Sequence, residues 1–196
     1  MISAVRDDAF MEAAAARQRL TVRKAAMRDI RPILELINGY AAKGVMLPRT
    51  EFELSEAIRD FTVVLDGEDL LGCGALHFYS PTIGEIRSLA VHERAKTRGV
   101  GRKVVEALVR EAEEYELDAV FAFTYVTGFF CKVGFQVVER GLLPLKAWKD
   151  CLRCPKFQAC DEIAVLKVIR DGVSLPTMGR SVVEDPLVQL PTFRRN

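Results

Sequence analysis

A chain of 196 residues has room for one domain with tails more readily than for two. With 49% hydrophobic and 28% charged residues it can bury a sizeable core under a charged surface, and 28 basic residues against 27 acidic ones leave a net charge of +1. That balance excludes the broad positive field by which proteins hold nucleic-acid backbones or anionic membranes, so any anion site must be local.

No run approaches the roughly 20 apolar residues needed to cross a bilayer. Asp7 and Asp8 fall where a signal peptide needs an apolar core. Five cysteines without an export signal read as reduced thiols rather than a disulfide framework. The expectation is a cytoplasmic protein with neither a nucleic-acid nor a membrane partner.

Residues 1–18 read as an N-terminal extension, 19–170 as the folded domain and 171–196 as a proline-containing tail without periodicity. Structure opens with a strand from Leu20 to Arg23. Asp29 reads as an N-cap ahead of a helical stripe of Ile30, Ile33, Leu34, Ile37 and Ala41, which Gly44 stops. Thr50 and Glu53 form a capping box, with Leu54, Ile58 and Phe61 as the apolar face of a second helix. Strands over 62–65 and 70–79 are joined at Asp66-Gly67, and a third runs from Glu85 to Val91.

A helix from Gly99 to Tyr115 comes next. The apolar run Ala119–Tyr125 then suits a strand in a sheet covered on both faces. A short helix (Gly128–Val133), a strand (Phe135–Glu139), a helix over 145–153 and a strand (Ile163–Ile169) complete the order. The fold class is α/β (α+β), a mixed central sheet of about six to seven strands flanked by helices.

The most informative stretch is Glu85–Val91 followed by His92-Glu-Arg-Ala-Lys96-Thr97-Arg98-Gly99-Val100-Gly101-Arg102. It is a strand, a basic loop with two close glycines, and a helix start. Glycine lets the backbone approach a ligand, and the first helical turn offers amides without intrahelical partners and a positive dipole end. Together they make a cradle suited to a pyrophosphate, to which Lys96, Arg98 and Arg102 add local charge. The alternative is a tight turn with a solvated basic face. Neither a Walker loop nor a dinucleotide fingerprint is present.

Lys96-Thr-Arg-Gly99-Val-Gly101 resembles the R/Q-x-x-G-x-G/A coenzyme A loop of the GNAT N-acetyltransferase superfamily, with Lys at its first position. Phe130-Cys-Lys-Val-Gly134-Phe135 resembles that superfamily's aromatic-x-K-x-G-F segment, with Phe130 where many members carry tyrosine. The acetyltransferase domain of N-acetylglutamate synthases, including their short bacterial forms, is the nearer likeness. Gly44-Val-Met-Leu47-Pro-Arg49-Thr50, Gly72-Cys-Gly-Ala-Leu-His77, Gly84–Val91 and Phe123-Thr124 carry it, and the resemblance covers roughly residues 20–170.

The resemblance implies acetyl-CoA as cosubstrate and transfer of its acetyl group to the α-amine of L-glutamate or L-glutamine, at the entry to arginine biosynthesis. Glu85 resembles the family's general base, acting through water. The bland alternative is an edge-of-sheet carboxylate paired with Arg87. A strand bulge would offer a backbone donor around Leu89 to the thioester oxygen, with Ala90 and Val91 continuing the cofactor strand. Thr124, or else Tyr125, would protonate the leaving thiolate.

Arg49 beside Leu47 would hold the acceptor carboxylate, with Lys146, Arg87 and Ser88 completing the acceptor set; Arg153 and Lys156 are further candidates. Acetylation of another amine and non-catalytic acyl-CoA sensing remain alternatives, the latter favoured by Phe130. Cys151-x-x-Cys154 with Cys160 and Asp161 falls short of the paired knuckles of a zinc site, so no metal is expected. Oligomeric state stays open, with a homodimer among the options.

Overall fold

The apolar periodicities fold as a mixed sheet with helices on it. The computed structural model describes residues 20–143, 154–156, 159–170 and 172. Its strands are β1 (Thr21–Lys24), β2 (Phe61–Asp66), β3 (Asp69–Phe78), β4 (Ile83–Val91), β5 (Ala119–Thr124), β6 (Gln136–Val137) and β7 (Ile163–Val168). The helices among the described residues are α1 (Ile30–Ala41), α2 (Glu51–Ala57), α3 (Val100–Glu114) and α4 (Thr127–Lys132). Strand order is β1-β2-β3-β4-β5-β7-β6. β4 and β5 run parallel, whereas β1/β2, β2/β3, β5/β7 and β6/β7 are antiparallel. This is the α/β class expected from the sequence.

The chain divides into two compact units, one containing residues 20–75 with Ser88–Leu108, the other Leu76–Arg87 with the described residues from Val109 onward. In the first, Ile30, Ile33, Leu36 and Ile37 of α1 and Leu54 of α2 pack on Phe61, Val63, Leu65, Cys73 and Ala75 of the sheet. Gly67 at φ +63° closes the β2–β3 hairpin, as the Asp66-Gly67 signal predicts.

β3 turns Cys73 and Ala75 toward that core and Gly72 and Gly74 the other way, as strand alternation requires. On the glycine side lies α3. A Cβ built on Gly72 would stand 2.7 Å from Val100 Cγ1 and 3.1 Å from the Ala90 carbonyl oxygen, and one on Gly74 would stand 2.8 Å from Val104 Cγ1. The i, i+4 ridge of α3 thus seats directly on bare strand.

In the second unit, Ile83, Ala119, Phe121, Leu143, Ala164 and Leu166 form the core. Tyr79, Phe121 and Phe123 make successive edge-to-face contacts at 5.4 and 5.9 Å.

Three local expectations are corrected. Asp29 does not cap α1: it has αR backbone and makes no side-chain cap bond to that helix. Its carboxylate instead accepts from Arg23 at 2.6 and 2.9 Å and from the Ala26 amide at 2.7 Å, so it is spent on the guanidinium of β1 and on the amide before it rather than on α1. Phe61 begins β2 rather than ending the second helix, which stops at Ala57 and passes through a 3-10 turn. The strand expected over Phe135–Glu139 shortens to Gln136–Val137, both exposed. The helix expected over 145–153 and both expected tails lie outside the described residues.

The Arg23–Asp29 pair sets a pH dependence. The Arg23 hydrogen bonds, helped by the Ala26 amide and Arg28, hold the Asp29 carboxyl below its ordinary 3.8. A depressed folded value means that the stabilisation is complete above the unfolded value and fades as pH falls through the folded one. Asp29→Asn is therefore expected to destabilise the protein at pH 7 by about 1.5–3 kcal/mol, the range for a hydrogen bond to a charged group. Denaturant titrations of both proteins should converge as pH drops below the ordinary aspartate value of 3.8. A constant gap across that range would refute the assignment.

Candidate active site

Glu85 is fully buried at 0% exposure, in register with Phe121 of β5. β4 lies between β3 and β5 in the strand order, so the reading of Glu85 as a sheet-edge carboxylate does not apply. Three residues on, Ser88 takes φ +53°, a left-handed conformation unusual for a residue with a side chain. That twist breaks the alternation expected along β4. The Cys73 thiol, 3.9 Å from the Ser88 carbonyl oxygen, faces it as donor. Burial pushes that thiol up to about 12, so it keeps its proton.

Past Val91 the chain makes a 3-10 turn (Glu93–Ala95) and reaches Gly99 at φ +74° before α3 begins at Val100. The first α3 bond runs from the Lys103 amide to the Gly99 carbonyl at 3.1 Å, so the amides of Val100, Gly101 and Arg102 precede the intrahelical ladder. A Cβ on Gly99 would meet nothing within 4 Å, so the space beside that residue is open. The loop cations are engaged. Lys96 lies 2.9 Å from Glu93, Arg98 2.9 Å from Asp66 and Arg102 3.5 Å from Glu106. Much of the local charge expected from them is thereby offset, and backbone amides and helix dipole carry the larger share of any anion site.

Arg49, half-buried, directly precedes Thr50, the N-cap of α2. Its amide donates to Asn38 Oδ1 and its carbonyl accepts from Asn38 Nδ2, both at 2.9 Å. Thr50 closes the capping box predicted for it, accepting from the Glu53 amide at 3.2 Å while its own amide donates to Glu53 Oε2 at 2.8 Å. Leu47 is half-buried in the same segment. Arg87 and Ser88 are also half-buried, in β4.

Thr124, at the end of β5, is buried. Its hydroxyl oxygen accepts from the Val126 amide at 3.0 Å, which occupies a lone pair and leaves the O–H to donate. Tyr125 is 41% exposed; its phenol donates to Asp161 at 2.8 Å and accepts from Lys156 at 3.2 Å. Burial leads the causes that raise this phenol above its usual value. Lys156 is thus paired with Asp161 at 3.2 Å. Lys146, Cys151 and Arg153 lie outside the described residues. Among the described residues no cluster of three His, Cys, Asp or Glu side chains is placed to hold a metal, and no helix is long and apolar enough to cross a membrane.

The model of the acetyltransferase (GNAT) family matches residues 29–135, from the start of α1 to the end of the α4 turn. The chain is 40% identical over 148 residues to an uncharacterized N-acetyltransferase of Chlorobaculum tepidum, covering 76% of this chain and 96% of that one. This chain belongs to the GNAT acetyltransferase family.

Other relatives narrow the likeness. An amino-acid acetyltransferase of Mycobacterium tuberculosis is 36% identical over 125 residues, 62% of this chain and 71% of the relative. Among solved structures, the M. tuberculosis protein Rv2747 in complex with CoA aligns with a TM-score of 0.65 at 27% identity, over 76% of this chain and 99% of that one. N-acetylglutamate synthase from Neisseria gonorrhoeae, complexed with coenzyme A and N-acetyl-glutamate, aligns with a TM-score of 0.69 at 25% identity. That match takes in 77% of this chain but about a third (35%) of the synthase.

As a GNAT enzyme the protein is an acetyl-CoA-dependent acetyltransferase. Phe130 of this GNAT chain is 3% exposed and stacks edge-to-face on Phe129 and Phe135 at 5.3 and 5.1 Å. It is a core residue, and its ring offers no hydroxyl. Asn38, Tyr40 and Glu93 were not singled out by sequence, and Asp66 was read only as part of a hairpin turn. The signal for Asn38 was available: a poor helix former inside an apolar stripe tends to have a tertiary bonding role.

Proposed function

We propose that the protein transfers the acetyl group of acetyl-CoA to the α-amine of L-glutamate, with L-glutamine as the nearest competing acceptor, and so opens arginine biosynthesis. The observation that carries this reading is Arg49, whose backbone is pinned by Asn38 on one side and abuts the Thr50–Glu53 capping box on the other. A guanidinium on so fixed a base suits a carboxylate, which it can meet with two parallel hydrogen bonds. The likeness to proteins named amino-acid acetyltransferase and N-acetylglutamate synthase supports the same acceptor class.

Acetyl-CoA supplies an activated acyl carbon when bound; its diphosphate would rest on the amides of Val100, Gly101 and Arg102, with Lys96, Thr97 and Arg98 in the loop before them. Glu85 takes a proton from the acceptor ammonium through water, leaving the amine lone pair to attack. The backbone N–H of Leu89, following the twisted Ser88, is assigned to the oxygen that gains charge, and Ala90 and Val91 extend the strand alongside the cofactor. As the new C–N bond forms and the C–S bond breaks, the Thr124 O–H would act as a relay, giving its proton to the departing thiolate and being replenished by the second proton lost from the acylated nitrogen, so that one net proton stays on Glu85. Tyr125 is set aside for that role, since its phenol is held by Asp161 and Lys156.

A thiol-release screen across amino acids, polyamines and peptides tests the assignment. Glutamate or glutamine is expected to lead by at least about tenfold in kcat/KM, and Arg49→Ala to remove most of that preference. Equal turnover with polyamines or peptides would overturn the acceptor while leaving the enzyme class in place.

A further inference from the structure

Two side chains in the last turn of α1 reach away from the helix to hold other segments by their backbones. Asn38 spends its carboxamide on Arg49, matching the peptide donor and acceptor at 2.9 Å each, as a neighbouring strand would. Two residues later, Tyr40 donates its phenol to the Val91 carbonyl at 2.6 Å, where β4 ends and the cofactor loop begins. The same phenol lies 3.2 Å from Glu93, the partner of Lys96. The Lys43 and Lys96 ammonium groups stand 5.3 and 5.5 Å from the Tyr40 ring centroid. Burial keeps the phenol protonated, as a donor must be.

We propose that this turn is the positioning element of both subsites, with Asn38 setting the arginine that meets the acceptor and Tyr40 setting the strand end and loop that meet the cofactor. The Asn38 half rests on the reading of Arg49 given above; the Tyr40 half does not. Neither side chain is a catalytic residue. Asn38 acts through the Arg49 backbone, because a guanidinium is aimed only as well as the Cα it hangs from. Tyr40 acts through Val91 and the Glu93–Lys96 pair, fixing where the loop leaves the strand. A polar clamp on a backbone costs little entropy to maintain once the helix is formed, and its loss lets the clamped segment sample other dihedrals.

The two clamps predict opposite kinetic signatures. Asn38→Ala is expected to raise the acceptor KM about five- to tenfold with the acetyl-CoA KM unchanged, and Tyr40→Phe to raise the acetyl-CoA KM by a similar factor with the acceptor KM unchanged. A merely structural role would lower the active fraction, and hence apparent kcat, without separating the two constants. Asn38→Asp, which keeps the acceptor for the Arg49 amide but loses the donor to its carbonyl, replaces the alanine variant if the latter does not fold.

Arg49→Ala run alongside separates the possible failures. If it leaves the acceptor KM unchanged, the reading of Arg49 is wrong. If it raises that KM while neither Asn38 variant does, the proposal is wrong. Both constants moving together in either single variant would also overturn it.

Discussion

Glu85→Gln is expected to lower kcat by a factor of about 10² to 10⁴, the usual range for a lost general acid or base, with coenzyme A affinity unchanged. The amide has the shape of the carboxylate, so the buried site in β4 stays filled and the fold is kept. What is lost is the ability to accept a proton, and without that step the acceptor remains an ammonium with no lone pair to attack. Cofactor affinity should hold because the amides assigned to it belong to Val100, Gly101 and Arg102, not to the first half of β4. Steady-state thiol release paired with a coenzyme A titration makes the check. Turnover within twofold of the parent would remove Glu85 from the mechanism.

The second large effect lies in the seat of α3. Gly72→Ala places a methyl 2.7 Å from Val100 Cγ1 and 3.1 Å from the Ala90 carbonyl oxygen. Val100 is fully buried and has no room to swing, and a backbone carbonyl in the sheet cannot retreat without disturbing its strand. Overpacking of this kind costs about 1–3 kcal/mol. At this chain length each kcal/mol lowers Tm by roughly 2–4 °C.

Because Val100 is the first residue of α3, the strain bears on the amides that precede the intrahelical ladder, and the acetyl-CoA KM should rise with the loss of stability. Adding Val100→Ala makes room for the methyl, so the double variant should be more stable than the sum of the two single losses. A Gly72→Ala protein as stable as the parent would show that the helix is not seated as described.

The hairpin at Asp66-Gly67, the capping box at Thr50 and the loop ending at Gly99 were legible in the sequence because each rests on residues within a few positions of one another. Gly72 and Gly74 fall inside the strand predicted over 70–79, but their purpose needs the valines of α3, some thirty residues on. Asp29 misled for a related reason. Read locally it is an N-cap, and only the Arg23 guanidinium, across the turn, redirects it. Arg98 of the cofactor loop looked available because Asp66 is thirty-two positions away and its approach is a tertiary event, whereas Lys96 and Arg102 have partners only three and four residues off. Asn38 illustrates the same limit, since its partner is eleven residues away in an unrelated segment.

Ser88 carries a further implication. A residue with a side chain held in the left-handed region gives up about 1–3 kcal/mol relative to a relaxed strand. Glycine would accept the same dihedrals without complaint, and would also accept many others. On the role proposed for the Leu89 amide, the serine therefore trades durability for aim, its narrower choice of dihedrals making the peptide beyond it point one way. A Ser88→Gly protein would be the hardier molecule and the less accurate tool.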